Sequence, residues 1–232
     1  MQRVDLVVPV KRLAAAKSRL RGAADGVGSH GGGPGGIGGL TPHTRLALAL
    51  TLDTVAAARA ASSVRTVLVV TADRTVAAVL TASGIEVVGD PLVGLNAAYE
   101  RGADVLRERD PSVAVGALQA DLAALRPAEL DEAVAAALDV GDRAFTADAE
   151  GTGTTFLLAV AGVALEPRFG GGSAARHAAS GAVALGGEWP SLRRDVDTPA
   201  DLATARQLGV GEQTRAALLP QLADQECQSS PG

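Results

Sequence analysis

The sequence predicts a single α/β domain with a mostly parallel central sheet flanked by helices and a mixed C-terminal part. Three observations carry this. Valine-rich runs bounded by turn residues alternate with Ala/Leu-rich segments of helical period, the pattern of parallel strands joined by crossover helices. A length of 232 residues suits one large α/β domain with a substantial core. Hydrophobic residues make up 47% of the chain and aromatic ones only 2%, so small aliphatic side chains should fill that core.

RVDLVVPV reads as the first strand, and a helix from about Pro42 to Ala61 follows. Next come the strand VRTVLVVT ending at Thr71, a short helix near 74–82, and the strand IEVVGD at 85–90. An Ala-rich helix from about Asn96 to Arg109 leads into a central strand, SVAVGALQAD at 112–121, and a helix from Pro127 to Leu138. The second half runs through AFTAD, TTFLLAVAG, a short helix near 173–180, AVALGG, LRRDVDT and a helix from Pro199 to Leu208. Connections there are too short for helical crossovers, so strand directions should be mixed. The domain is expected over 1–222, with a flexible glycine-rich insert at 22–41 and a disordered tail at 223–232. Gly31, Gly33 and Gly36 formally satisfy G-x-G-x-x-G, but no strand delivers them and no helix opens on them, so they read as linker.

Composition excludes several classes. A net charge of -5 with no basic cluster argues against nucleic acid as a partner. The single cysteine, Cys227, rules out a disulfide framework, and His30, His43 and His177 have no metal-site spacing. The longest apolar stretch, FLLAVAGVAL, is about half a membrane span, so no membrane segment is expected and a reducing cytoplasm fits best.

Of the 21 basic residues only two are lysine, Lys11 and Lys17, both just past the first strand. In a chain that otherwise uses arginine, solubility explains them poorly. A compact ammonium on a flexible stem can follow a phosphate, and the loop after a first parallel strand is where open α/β sheets bind nucleotides. Lys17-Ser18 lacks the glycines of a P-loop. Asp121 ends the predicted central strand, and Asp195 and Asp197, flanking Val196, point the same way from an extended chain. Carboxylates gathered at strand ends are hard ligands suited to magnesium shared with phosphates, although Asp197 also reads as a helix N-cap. In Phe169-Gly170-Gly171-Gly172-Ser173, Ser173 reads as an N-cap behind a loop that could admit an anion or be a plain turn. Gly94-Leu95-Asn96 precedes a helix, with Asn96 either its N-cap or part of a base-reading loop that Thr71 and Asp73 could join.

The segments VPVKRLAAAKSRL, RLALALTLDTV, VLVVTADR, GLNAA, ADLAALRPAEL, GTGTTFLL, FGGGSAARH and DVDTPADL occur in this order over roughly 4–208. Together they resemble the guanylyltransferases of deazaflavin-coenzyme (F-420) biosynthesis, relatives of molybdenum-cofactor guanylyltransferase. The resemblance implies a Rossmann-like nucleotidyltransferase fold in which Lys17 and Lys11 serve the phosphates of GTP. It also implies magnesium ligation by Asp121, Asp195 and Asp197, and contacts from Thr155, Gly170 and Ser173 to a small phosphorylated carboxylic acid. That acid is phosphoenolpyruvate or 2-phospho-L-lactate, with the former favoured, and a downstream transferase would take the product. The chain departs from the family pattern in the longer glycine-rich insert, in Ala123 after Asp-Leu, and in Gly171, the last two standing where proline is common. A nucleotidyltransferase for another phosphorylated acceptor, or a GTP-binding regulator without turnover, are the other classes open at this point.

Overall fold

The computed structural model describes residues 3–13 and 40–219. Lys17, nearly all of the glycine-rich insert and the C-terminal tail lie outside the described residues. Strand β1 (Val4–Val10) is buried along its whole length, as its unbroken apolar run requires of a central parallel strand. After it come α1 (Pro42–Ala60), β2 (Val64–Thr71), α2 (Arg74–Ala82), β3 (Glu86–Gly89), α3 (Leu95–Arg109), β4 (Ala114–Leu118) and α4 (Pro127–Asp139). The second half holds β5 (Arg143–Ala147), β6 (Thr154–Ala159), α5 (Ser173–Ala179), β7 (Val183–Ala184), α6 (Pro190–Arg193), α7 (Pro199–Leu208) and α8 (Glu212–Leu218).

One seven-stranded sheet runs in the order β3-β2-β1-β4-β6-β5-β7. Its first four strands are parallel, and β6 then pairs antiparallel with both β4 and β5. Because the chain winds from β1 towards β3 and returns to place β4 on the other side, the sheet has a switch point between β1 and β4. Pairing of β1 with β4 stops at Val7↔Ala117, whereas pairing with β2 continues to Val10↔Thr71. The gap opens beside Pro9, which has no N–H to donate.

The core has two layers. Val4, Leu6, Val8 and Val10 pack with side chains of α1, α2 and α4, while Val7 packs with those of α3 and α5 on the other face. Gly102 of α3 sits so close to β1 that a Cβ there would lie 2.3 Å from Val7 Cγ1.

Several sequence expectations need correction. LRRDVDT is not a strand: Pro190 opens the one-turn helix α6, and buried Glu129 fixes it by accepting the Ser191 and Leu192 N–H groups at 2.8 and 3.3 Å. The central strand ends at Leu118, so Asp121 lies in the loop beyond it. Gly172, not Ser173, caps α5, and Gly94, not Asn96, caps α3; in both places positive φ (70° and 117°) is what the chain entry demands. Thr198, not Asp197, caps α7, in a reciprocal capping box with Asp201. Helix α8 was not expected; Asp53 of α1 holds its first turn by accepting from Gln213 and Thr214 N–H. Among the described residues no helix is long and apolar enough to cross a membrane.

Gly102→Ala should cost about 1–3 kcal/mol by overpacking and lower Tm by roughly 3–10 °C. Gly186→Ala, where a Cβ meets nothing within 4 Å, should leave Tm unchanged within about 1 °C. Thermal denaturation followed by circular dichroism distinguishes the two.

Candidate active site

A cleft of about 380 Å³ opens at the carboxyl ends of β1 and β4, the place the topology favours for ligands. Pro9, Val10 and Lys11 line one side, Gln119, Ala120 and Asp121 the floor, and Asp195 and Asp197 the C-terminal wall. Opposite stand Thr152 and Gly153 before β6, Thr154 at its start, and the loop Gly170–Ser173.

The acidic wall is built around Val196. Its side chain is fully buried in a cluster with Leu46, Leu50 and Leu202, and its N–H donates to Asp121 O at 3.1 Å. Extended backbone sends Asp195 and Asp197 the other way, so together with Asp121 and Asp148 four carboxylates from sequence-distant segments line one cleft. Their donor set is all oxygen, which suits a hard divalent cation. Among the described residues, the set of acidic side chains whose oxygens lie within 4.8 Å of one another is different: Asp148, Glu150 and Asp195. Two of these have other work. Asp148 closes the turn before β6 by accepting from Thr152 N–H (2.8 Å) and Gly153 N–H (2.7 Å), and Glu150 pairs with Arg194 at 2.8 Å. Arg194 also reaches Asp201 at 3.1 Å, and its charge interacts with that of Asp195.

On the β1 side Lys11 is exposed and borders the cleft. Thr71 and Asp73, expected near a base, hold this segment instead. Thr71 Oγ1 donates to Val10 O at 2.8 Å, and Asp73 caps α2 while accepting from Leu13 N–H at 2.9 Å. Neither lines the cleft, nor do Gly94 and Asn96. Asn96 grips the backbone of Phe169, accepting from its N–H at 2.8 Å and donating to its carbonyl at 3.3 Å. Tyr99 stacks on the Phe169 ring with centroids 4.3 Å apart.

The glycine loop begins there. Gly170 has φ of 120°, and Arg176 folds back to donate to Arg168 O and Gly171 O. Ser173 and Thr154 face each other across the cleft end, their hydroxyls 3.1 Å apart. Thr155 is fully buried, outside the cleft lining, and its Oγ1 has no hydrogen-bond partner among the described residues. Fully buried His177 sits behind the pair, Nδ1 2.9 Å from Thr154 Oγ1 and Nε2 accepting from Arg168 N–H at 2.9 Å. Burial, reinforced by Arg176, Arg168 and Arg143, pushes the His177 imidazole down to about 4.

Sequence reasoning missed Asp148, Gln119 and Arg194 as parts of this region, whereas His177, expected to face solvent or a phosphate from its short helix, is fully buried instead. Asp148 had a signal, since AFTAD ends a strand just before a Gly/Thr turn. The burial of His177 had none, because its partners are 9 and 23 residues away.

No family model matches the chain. Solved structures share its fold. A nucleotidyl transferase from Methanothermobacter thermautotroptrophicus is 19% identical with a TM-score of 0.59 over 90% of this chain and 98% of that one. A 4-diphosphocytidyl-2C-methyl-D-erythritol synthase is 14% identical, also at 0.59, over 90% and 98%. The architecture is thus the nucleotidyltransferase fold, with an acidic cleft at its switch point. Sequence relatives are closer. Proteins named phosphoenolpyruvate guanylyltransferase are 53% identical in Geodermatophilus obscurus (92% of this chain, 93% of the relative) and 51% identical in Salinispora arenicola (90% of each). The one from Streptomyces avermitilis is 51% identical over 91% of this chain and 92% of its own. The chain belongs to the phosphoenolpyruvate guanylyltransferase family.

The His177 environment has a signature in pH. With its folded pKa near 4 and its ordinary value near 6.5, the unfolded chain takes up the proton first as pH falls. Stability contributed by the neutral ring is complete above about pH 6.5 and declines towards pH 4. Urea unfolding of wild type and His177→Gln across pH 4–8 should give a stability difference that is level above pH 7 and shrinks below 6.5. A difference constant over the whole range would contradict the buried neutral ring.

Proposed function

We propose that this protein transfers GMP from GTP to the phosphate of phosphoenolpyruvate, giving enolpyruvyl-diphospho-guanosine and pyrophosphate. The observation that carries the reading is the gathering on one switch-point cleft of a lysine segment, four aspartates and a hydroxyl-and-glycine loop, in a chain whose close relatives bear that name.

A phosphate oxygen of the acceptor attacks the α-phosphorus of GTP. The new P–O bond forms as the bond to the bridging oxygen of the β-phosphate breaks, and its electron pair leaves with pyrophosphate. No general base is required, because a phosphomonoester with a second pKa of about 6 is already mostly dianionic at neutral pH. The protein has to align two anions and offset their repulsion. Lys11 borders the cleft from β1. Lys17, six residues on, is assigned the GTP phosphates with it from the sequence alone. Thr71 and Asp73 keep the Val10–Leu13 segment at the cleft edge through its backbone. On the far side Gly170, Ser173 and Thr154 at the start of β6 form the acceptor end, with Thr155 buried next to Thr154 outside the lining and the loop held by Asn96 and Arg176.

Asp121, Asp195 and Asp197 are the residues that would hold magnesium, their all-oxygen set and shared cleft fitting that ion. When bound, a divalent cation supplies charge neutralisation at the phosphates and the leaving group.

Mass spectrometry after incubation with magnesium, GTP and either phosphoenolpyruvate or 2-phospho-L-lactate tests the reading. The enolpyruvyl product should form with the first acid; product only with the second would reassign the acceptor, and none with either would overturn guanylyl transfer. Asp121→Asn and Asp195→Asn should each lower pyrophosphate release by about 100-fold or more with the far-UV spectrum unchanged. Near wild-type rates in both would remove the carboxylates from the chemistry.

A further inference from the structure

We propose that His177 is a positioning residue that sets the polarity of the Thr154–Ser173 hydroxyl pair, making it a hydrogen-bond donor towards the acceptor's phosphate. The inference rests on the acceptor end of the cleft assigned above, and concerns a residue that does not line the cleft itself.

The polarity follows from counting hydrogens. Arg168 N–H donates to His177 Nε2, so that nitrogen must carry its lone pair. In a neutral ring the proton is then on Nδ1, which donates to Thr154 Oγ1. Thr154 and Ser173 own two hydroxyl hydrogens between them, and Ser173 Oγ uses its own in donating to Thr154 Oγ1. With the imidazole supplying its own hydrogen, the second hydroxyl hydrogen remains for the cleft, which both residues line. The opposite tautomer would consume that hydrogen at Nδ1 and leave only lone pairs to meet an anion.

The geometry locks this arrangement. His177 is fully buried, tilted against Phe145 with centroids 5.7 Å apart and edge-on to Phe169 at 5.1 Å. The charged groups facing the ring are Arg143, Arg168 and Arg176, all cationic, so they oppose its protonation without competing for Nε2. Asn96 fixes Phe169, the residue next to the Arg168 N–H that selects the tautomer, from the α3 side. A polar wire therefore runs from backbone through imidazole to a hydroxyl donor at the anion end of the cleft.

Two measurements test it. Long-range ¹H–¹⁵N correlation on the full chain with labelled histidine reports the tautomer without any substrate. The Nδ1-protonated neutral ring at pH 7 is expected, and the Nε2-protonated ring or an imidazolium would overturn the proposal. Steady-state kinetics then reads the consequence. His177→Phe keeps a ring but neither hydrogen bond, and should raise KM for phosphoenolpyruvate at least tenfold with KM for GTP within twofold of wild type. His177→Asn, which restores a donor near the Nδ1 position, should bring the acceptor KM back to within about threefold. An unchanged acceptor KM in His177→Phe, or a parallel rise in both KM values, would reduce His177 to a packing residue. If wild type forms no pyrophosphate, guanylyl transfer fails while the tautomer measurement still decides the role of His177.

Discussion

The structure turns on Val196. Its side chain is fully buried among residues of α1 and α7, and its N–H is bonded to Asp121 O. That double anchorage brings a segment from the C-terminal part of the chain to the loop after β4. It leaves alternation no choice: with Val196 inward, Asp195 and Asp197 face the cleft. Arg194, paired with Glu150 and Asp201, also sets a positive charge against Asp195. The apolar cluster around Val196 provides the rest of the restraint, so packing energy is converted into a local concentration of negative charge.

The sheet makes room for that charge. Pairing between β1 and β4 ends three residues before pairing between β1 and β2 does, and the strands part beside Pro9. Lys11 lines the cleft from the β1 side and the aspartates line it from beyond β4, so opposite charges share the cleft at the switch point. The acceptor end is arranged differently, with hydroxyls and backbone rather than carboxylates at the cleft. Hydroxyls and a glycine loop are held by Asn96, Arg176 and His177 from residues that stand outside the cleft.

Much of the fold was legible because its first half is regular. Valine runs and Ala/Leu helices alternate with little interruption, and α1, α2, α3 and α4 fall within one or two residues of expectation. The C-terminal half resisted because tertiary contacts decide it: α6 exists where a strand was expected since buried Glu129, some 60 residues earlier, caps it. Site residues divide in the same way. Asp121, Asp195, Asp197, Lys11, Gly170 and Ser173 could be read from residue type at strand and loop ends, and all line the cleft. Thr71, Asp73 and Asn96 were chosen for chemistry, but hydrogen-bond to backbone near it. Polar side chains that hold loops have the same composition as those that touch ligands, and sequence spacing does not separate them. Lys17 stays an expectation of the sequence, outside the described residues.

The central claim is that Asp121 and the Asp195/Asp197 pair form one cation site facing the nucleotide. Anomalous diffraction from crystals grown with Mn²⁺ and a non-hydrolysable GTP analogue addresses it directly. The account predicts a peak about 2 Å from oxygens of Asp121 and at least one of Asp195 and Asp197, with the triphosphate on its other side. A peak held by Asp148 and Glu150, or a triphosphate bound with no ion near Asp121, would contradict it.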